Sequence, residues 1–317
     1  MSPYKVDVPV LLIFFNRPSV LRKTFDQIKK ARPSILFLYQ DGVREGNKKD
    51  IFNATECRKI VSEIDWDCKV YKKYQDQNYG CDPSEYIAQK WAFEIVDKCI
   101  IIEDDDIAAE SFFRFCKELL DEYENDDRVC RISGLNHLGK YKNKDNSYFF
   151  TSTGSIWGWA TWKRVVDKWD STYSFLGDKN LLNELKKTCA EYKVNYKSFI
   201  QTCIKHKNSG REHYESIYYA YRLLNKTLTI VPTLNQISNV GLTEDSTHAT
   251  SNMKRLPRGI KRVFMMDIYE INFPLHHPSE IINDLNYVKK VNRIMGYGFF
   301  RKLWRKVEAK MRSRIYN

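Results

Sequence analysis

Four consecutive acidic residues, Glu103-Asp104-Asp105-Asp106, follow the apolar run Cys-Ile-Ile-Ile at 99–102. Carboxylates this close repel one another, and placing them beside a buried strand is unfavourable unless a cation neutralises them. Mg²⁺ and Mn²⁺ prefer carboxylate oxygens and bridge them to phosphates. Alternatively, the acids form a solvated strand end that stabilises the N-terminus of the next helix. The run therefore predicts either a divalent-cation site for a phosphate-bearing ligand or an exposed turn.

The elements that must position these acids alternate between strand and helix along the first 125 residues. Apolar runs predict strands, and residues repeating at helical spacing predict the helices between them. Strands are expected over 9–15, 34–41, 68–74 and 99–102, and helices over 19–31, 51–63, 81–96 and 111–123. The helix at 81 is expected to begin with Asp82 as N-cap and Glu85 in a capping box. The alternation predicts the α/β class, with a mostly parallel mixed sheet flanked by helices.

Polar residues stand where three of these strands end, at Asn16-Arg17, Asp41-Gly42 and 103–106. Ligands of such sheets bind at the carboxyl ends of the strands, so these residues are expected to meet at one edge. The chain has no GxGxxG or Walker A pattern, which argues against a dinucleotide enzyme or a P-loop ATPase. A binding site for another phosphate-bearing ligand is therefore expected at this edge.

After residue 128 the pattern is mixed. Strands are predicted over 128–134, 147–153 and 228–232, a helix over 213–224, and a long polar loop over 235–250. We interpret residues 1–250 as one domain, with a nucleotide-binding half to about 130 and an acceptor half over 131–250. Residues 251–317 form a basic C-terminal extension in this interpretation.

The chain has 317 residues, 43% of them hydrophobic, and a formal net charge of +12, which suggests an anionic partner. Residues 296–317 contain seven Lys or Arg and one Glu, with aromatic and aliphatic residues at helical spacing. This pattern predicts a basic amphipathic helix on an anionic membrane surface, or a helix packed on the domain with a solvated basic face. Nucleic acid is an unlikely partner because charge is its only signal.

No window approaches the eighteen apolar residues of a membrane-spanning helix. The eight cysteines are scattered without CxxC spacing, which favours reduced thiols over a zinc site. These features predict a cytoplasmic protein, with peripheral attachment to the inner face of the membrane as a further expectation.

Four segments together resemble the GT-A-fold glycosyltransferases, and more closely the N-acetylglucosaminyltransferase I-like group and its bacterial relatives. They are VPVLLIFFNRP at 8–18, YQDG at 39–42, IIIEDDDIAAESFF at 100–113 and NQISNVGLTEDSTHA at 235–249. The resemblance covers roughly residues 8–250. It implies a Rossmann-like GT-A fold and a metal-dependent, inverting transfer of a sugar from a nucleotide-diphosphate donor, with UDP-sugars favoured. The implied acceptor is a saccharide or a lipid-linked glycan.

The resemblance also implies roles for residues at the predicted sheet edge. Arg17 and Asp41 would hold the base and ribose, and Asp104 would face the ribose or the sugar. In this family the third residue of the Glu-Asp-Asp motif binds Mn²⁺ or Mg²⁺, and here that residue is Asp105. Because this chain adds Asp106, metal binding by Asp104 and Asp106 is also possible.

An inverting transfer needs a carboxylate that takes the acceptor proton. Relatives place it ahead of the segment resembling NQISNVG, which here implies Glu215, with Glu212 as a second choice and an exposed helix acid as the plain alternative. His248 would contact the metal or the diphosphate, or else make only local hydrogen bonds. Asn239 is assigned to nucleotide-sugar binding, and with Gly241 it would shape that loop.

Trp157 and Trp159 flank Gly158 in an aromatic segment. Aromatic faces pack well on the C–H surfaces of sugars, so both side chains are candidates for a wall of the sugar site. The alternative is that these tryptophans belong to the core.

Two other functions stay open. A nucleotidyltransferase on a similar fold would be expected to carry a Gly-rich loop after the first strand, where this chain has Asn16-Arg17-Pro18. A non-catalytic basic module that binds membranes or polyanions would have no need of the four acids.

Overall fold

The computed structural model describes residues 6–142, 145–242 and 258–295, together with Glu308 and Met311. The strands are β1 Val10–Phe14, β2 Ile35–Gln40, β3 Lys69–Tyr74, β4 Lys98–Glu103, β5 Asp106–Ala108, β6 Val129–Ser133, β7 Tyr148–Thr151, β8 Trp159–Trp162, β9 Leu228–Pro232 and β10 Ile237–Asn239. The α-helices are α1 Pro18–Ala31, α2 Lys48–Val61, α3 Cys81–Phe93, α4 Glu110–Glu122, α5 Lys163–Val166, α6 Lys179–Glu191, α7 Tyr196–Ser209, α8 Tyr214–Leu224, α9 Arg258–Lys261 and α10 Leu285–Ile294. A 3-10 helix spans Ser174–Gly177.

Eight strands form the central sheet, in the order β3-β2-β1-β4-β8-β6-β9-β7. β1 pairs in parallel with β2 and β4, β2 with β3, and β6 with β9. β8 runs antiparallel to both β4 and β6, and β7 antiparallel to β9. This topology confirms the predicted α/β class with a mostly parallel mixed sheet flanked by helices. It also directs the carboxyl ends of β1, β2 and β4 toward one edge.

The local sequence explains why the sheet is covered on both faces. All five residues of β1, and Cys99 to Ile102 in β4, are buried, as expected for strands between two layers of helices. α1 buries Leu21, Phe25 and Ile28 on one face and exposes basic residues on the other. Since the interior of β4 is wholly apolar, its charges are confined to its ends, and Glu103 is the last residue of the strand.

A second sheet of two strands crosses the end of β4. β5 pairs antiparallel with β10, and Asp106 lies opposite Asn239 in the register. Residues 104 and 105 form the turn that joins β4 to β5. The long polar loop predicted over 235–250 therefore begins with a strand, Ile237–Asn239, that the sequence analysis did not identify.

Residues from the extension pack on the remainder of the fold. Ile271 and Leu275 belong to the main core, and Tyr287 of α10 packs with Phe149 of β7. The Glu270 carboxylate accepts hydrogen bonds from the first backbone N–H groups of α4. The division at residue 250 stays a prediction about folding units, since these contacts describe only packing.

The predicted basic helix over 296–317 lies outside the described residues except at Glu308 and Met311. In the part of the chain that the structure describes, none of the helices combines the length and apolar character needed to cross a bilayer.

Candidate active site

The acidic run is buried at the carboxyl end of β4. The exposed fraction of the residue is 3% for Asp104, 8% for Asp105 and 0% for Asp106. Three buried carboxylates in one turn do not fit the alternative of a solvated strand end. Burial of this kind requires hydrogen-bond donors or cations that compensate the charges.

Arg17, which follows β1, supplies one such cation. Its Nη2 contacts the Asp104 carboxylate and lies 2.8 Å from Asp105 Oδ2, and its Nη1 donates to the Gly241 carbonyl at 3.5 Å. Burial alone would lower the pKa of Arg17, but Asp104 and Asp105 outweigh burial and raise it above its ordinary value. The structure thus joins the ends of β1 and β4 as the strand pattern predicted.

Asp106 accepts three hydrogen bonds within the protein. Its Oδ2 accepts from the Gly158 N–H at 2.7 Å and the Glu103 N–H at 3.4 Å, and its Oδ1 accepts from Asn239 Nδ2 at 3.1 Å. Burial, and next Asp105, raise the pKa of Asp106 well above its ordinary range. The fully buried Asp106 therefore fastens β10 and the Gly158 turn, and metal binding by Asp106 stays a prediction.

Asp105 is better suited to that role. Its side chain is 11% exposed, against 4% for Asp104. Its Oδ1 accepts from Asn239 Nδ2 at 2.8 Å and its Oδ2 accepts from Arg17, which leaves lone pairs on both oxygens. Asn239 therefore bridges Asp105 and Asp106, which is a positioning contact that the sequence analysis did not foresee.

The carboxylate oxygens of this turn fit Mg²⁺ or Mn²⁺, since both ions prefer carboxylate oxygens as ligands. Within the described residues, no group of three or more His, Cys, Asp or Glu has the arrangement of a metal site. Mg²⁺ in nucleotide enzymes is commonly held by one or two carboxylates, with phosphates and waters completing the shell. Asp105 thus fits a divalent ion that enters the site together with a phosphate-bearing ligand. His248, which was also predicted to contact the metal, lies outside the described residues.

Two further acids join this site. Glu85 of α3 is 6% exposed, and burial with a smaller effect of Asp106 raises its pKa to about 8. Burial, followed by Glu85, raises the pKa of Glu103 well above its ordinary range. We call Glu85, Glu103, Asp104, Asp105 and Asp106 the acid cluster.

Glu85 was not predicted as a site residue, because its position after Asp82 matches a helix capping box. α3 begins at Cys81 with Gly80 as its N-cap, no side chain caps it, and Gln89 donates to Glu85 Oε2 at 3.2 Å. The prediction of Asp82 as N-cap was wrong. A signal was present, since Glu85, Ala88, Gln89 and Ala92 fall on one helical face, and that face is buried.

Asp41 organises a neighbouring loop. Its carboxylate accepts four hydrogen bonds, from the backbone N–H groups of Gly42, Tyr79 and Gly80 and from Asn78 Nδ2, all within 3.0 Å. Four bonds occupy the lone pairs of a carboxylate. In this conformation Asp41 therefore shapes the loop over 77–80, and direct contact with a base or ribose stays a prediction.

A cavity of about 670 Å³ lies against α8 and the segment that precedes Gly158, and none of the acid cluster is among its described lining residues. Trp157, half-buried and packed against Phe264 with ring centroids 4.8 Å apart, lines this cavity. The next residue, Gly158, donates to Asp106, so the cavity wall and the acid cluster are joined at this turn. That the cavity and the acid cluster form one site stays a proposal.

The burial of Trp159 corrects the prediction that its side chain forms a wall of the sugar site. The residue is 1% exposed, its ring packs on Tyr214 and Tyr218, and it does not line the cavity. Trp157 and Trp159 are two apart around a glycine with φ +54°. The strand begins at Trp159, so that residue faces the core whereas Trp157 remains in the turn.

Glu215 lies in the first turn of α8 and lines the same cavity, with its side chain exposed. Glu212 precedes that helix and is half-buried, and it is not among the described residues that line the cavity. The structure thus separates the two candidate bases, and it places Glu215 on the same cavity as Trp157.

Comparison with known proteins gives structural similarities only. No protein family model matches the chain, and no curated protein matches it. A UDP-glucose pyrophosphorylase bound to UDP-glucose aligns with a TM-score of 0.33 and 11% identity, over 51% of this chain and 78% of that chain. The apo form of a UDP-glucose pyrophosphorylase aligns with a TM-score of 0.37 and 9% identity, over 73% of this chain and 92% of that chain.

The inositol-1-phosphate CTP transferase from T. maritima aligns with a TM-score of 0.32 and 8% identity, over 52% of this chain and 74% of that chain. These three proteins are nucleotidyltransferases, the enzyme class that the sequence analysis kept as an alternative, and none of the three is a glycosyltransferase. Similarity at TM-scores below 0.4 carries no information about the function of this chain.

Proposed function

We propose that this protein is a metal-dependent transferase that uses a nucleotide-diphosphate sugar and moves the sugar to an acceptor hydroxyl with inversion. The acid cluster carries the proposal. Four buried carboxyl groups and the partly exposed Glu103 meet at the carboxyl end of β4, and within the described chain only Arg17 forms ion pairs with them. Burying several carboxyl groups together is unfavourable unless a bound cation or a hydrogen-bond donor compensates their negative charge.

Asp105 would hold Mn²⁺ or Mg²⁺, and the bound ion would neutralise charge on the departing diphosphate. Arg17 supports this assignment because its guanidinium, 2.8 Å from Asp105, can also hydrogen-bond a phosphate oxygen. Asn239 fixes the Asp105 carboxylate from the other side. These residues bind and orient the diphosphate, and binding of the base and ribose is assigned to the neighbourhood of Asp41.

Glu215 would act as the base. The acceptor oxygen attacks the anomeric carbon, the bond from that carbon to the diphosphate oxygen breaks, and the hydroxyl proton passes to a Glu215 oxygen. The position of Glu215 on the cavity beside Trp157 supports this role. Trp157 would pack on the sugar. An acceptor attached to a lipid and a membrane contact through residues 296–317 are further proposals.

Nucleotidyl transfer is the second candidate, and the products separate it from sugar transfer. A nucleotidyltransferase that joins a sugar phosphate to a nucleoside triphosphate releases pyrophosphate, whereas sugar transfer from a UDP-sugar releases UDP. The segment that follows β1, Phe15-Asn16-Arg17, contains no glycine, and α1 begins at Pro18. The absence of a Gly-rich loop here favours sugar transfer.

The test is calorimetric binding of UDP-sugars with and without Mn²⁺, beside Asp105→Asn and the control Asp65→Asn, whose side chain is 63% exposed. Wild type and the control should bind a donor only with Mn²⁺, and Asp105→Asn should lose at least tenfold in affinity. Product analysis then identifies UDP or pyrophosphate. Pyrophosphate release from a triphosphate would establish the second candidate. Failure of wild type both to bind any UDP-sugar with Mn²⁺ and to release pyrophosphate from a triphosphate would leave only a non-catalytic role.

A further inference from the structure

Two buried arginines line the cavity on the side formed by β6 and α8. Arg131 of β6 is 2% exposed and Arg222 of α8 is 4% exposed, and both contribute to the cavity wall. Their guanidinium carbons lie 5.2 and 5.9 Å from the centre of the same Tyr218 ring. The two arginines therefore share one aromatic neighbour and one cavity.

Neither arginine has a carboxylate partner within 4 Å among the described residues. Arg131 Nη2 donates to Thr229 Oγ1 at 3.1 Å, and Arg222 Nη2 donates to the Ser152 carbonyl at 2.9 Å. The Nε group of each is buried, and neither has a hydrogen-bond partner in the described part of the chain. Each guanidinium thus keeps donors that the described protein groups do not use.

A structural arginine in the same protein looks different. Arg164 donates to four backbone carbonyl oxygens, those of residues 123, 124, 126 and 129. Its Nη1 also has no hydrogen-bond partner among the residues that the structure describes, but this atom lies 3.6 Å from the Asp127 carboxylate. Burying a charge without such compensation is strongly unfavourable. Burial, and the neighbouring Arg222, lower the pKa of Arg131, yet an arginine remains protonated in proteins.

The surrounding groups suit an anion. The described cavity wall carries three Lys or Arg side chains, Arg131, Lys193 and Arg222, against one carboxylate, Glu215. His137 is buried, lines the same cavity, and its Nδ1 has no described partner. Gly154 has a φ of +149°, and a Cβ there would lie 2.9 Å from Arg131 Nη2, so a side chain would fill the space in front of the guanidinium.

We propose that Arg131 and Arg222 bind an oxyanion of the acceptor, so that the enzyme selects acceptors bearing a carboxylate or a phosphate. The assignment of this anion to the acceptor rests on the proposed function. The existence of the anion site does not depend on that function. An arginine fork matches a carboxylate or phosphate through two parallel hydrogen bonds. The anion held at this wall directs a hydroxyl of the same molecule toward Glu215 on the same cavity.

The test uses the full-length chain with EDTA and without donor, so that only the anion site is measured. Glucuronate, glucose 1-phosphate, inorganic phosphate and neutral glucose are titrated by calorimetry and thermal shift. Wild type should bind an anionic probe at least tenfold more tightly than glucose. Preference for glucuronate identifies a carboxylate, and preference for the two phosphates identifies a phosphate.

Arg131→Met and Arg222→Met should each lose at least tenfold in affinity for that probe. Their melting temperatures without ligand should equal or exceed that of wild type, because no ion pair is removed. Arg164→Met is the control and should melt lower, since it loses four carbonyl contacts. Asp105→Asn should keep anion binding, and this result separates failure of the donor site from failure of the anion site.

Equal binding of glucose and the anions by wild type would overturn the proposal. So would methionine variants at 131 and 222 that melt as low as Arg164→Met and bind the anion as wild type does. If these variants do not fold, the comparison of charged and neutral probes on wild type still decides the outcome.

Discussion

Gly241 lies so close to Asp105 that a side chain at position 241 would displace the Asp105 carboxylate. A Cβ built on Gly241 would lie 2.0 Å from Asp105 Oδ2 and 2.8 Å from its Cγ. The Gly241 N–H donates to Asn239 Oδ1 at 3.0 Å, and Asn239 in turn holds Asp105. The segment after β10 therefore fixes the position of the proposed metal ligand.

Gly241→Ala is expected to displace the Asp105 carboxylate and to reduce Mn²⁺-dependent donor binding at least tenfold. The reason is steric, since the clash is with the ligand side chain rather than with the core. Calorimetry of a UDP-sugar with Mn²⁺ measures the effect. Gly177→Ala is the matched control, because nothing lies within 4 Å of a Cβ there. Equal binding by both variants would contradict the prediction.

The Glu85 carboxyl makes the free energy of unfolding depend on pH. Burial first, and Asp106 next, raise its pKa from 4.5 to about 8 in the folded protein. The folded state thus holds a proton that the unfolded state releases, so the stabilisation is complete below about pH 4.5 and is lost as the pH rises through about 8.

Glu85→Gln removes this proton linkage. Without metal, the variant should be more stable than wild type at pH 8.5, by on the order of 2 kcal/mol, and its stability should vary less between pH 5.5 and 8.5. Urea denaturation in EDTA measures both. Glu191→Gln, at an exposed position, should follow wild type. A variant that parallels wild type across this range would show that Glu85 is ionised in the fold.

Glu215→Gln should retain donor binding and lose transfer by about a hundredfold or more, because the glutamine cannot accept the acceptor proton. Calorimetry and product formation under saturating donor separate the two effects. Glu212→Gln, three residues away and not lining the cavity, should keep most activity. If Glu212→Gln is the inactive variant instead, the base is Glu212.

The two tryptophans around Gly158 should respond in opposite ways. Trp159→Ala removes a fully buried ring and should destabilise the fold by about 3–5 kcal/mol. Trp157→Ala, at a half-buried position on the cavity, should lower stability by only about 1 kcal/mol but raise KM for donor or acceptor. Denaturation and steady-state kinetics distinguish the two. Similar destabilisation by both would show that Trp157 is also a core residue.

The strand and helix order of the first half could be predicted because its periodicity is strong. The predicted helix over 19–31 was found at Pro18–Ala31, and the predicted strand over 34–41 at Ile35–Gln40. β8 and β10 were not predicted as strands, since they are three or four residues long and their pairing partners lie far away in sequence. A short segment carries too little periodicity to identify its own partner.

The sequence by itself determined that acids, an arginine and an aspartate stand where apolar strands end, and therefore that they share one sheet edge. Only the tertiary structure decided what each acid contacts, since Gly158 and Asn239 reach Asp106 from segments distant in sequence. It also brought Glu85 to the acids, and Arg131 and Arg222 to one cavity. Burial and long-range pairing depend on the packed fold, and local patterns of residue type do not contain them.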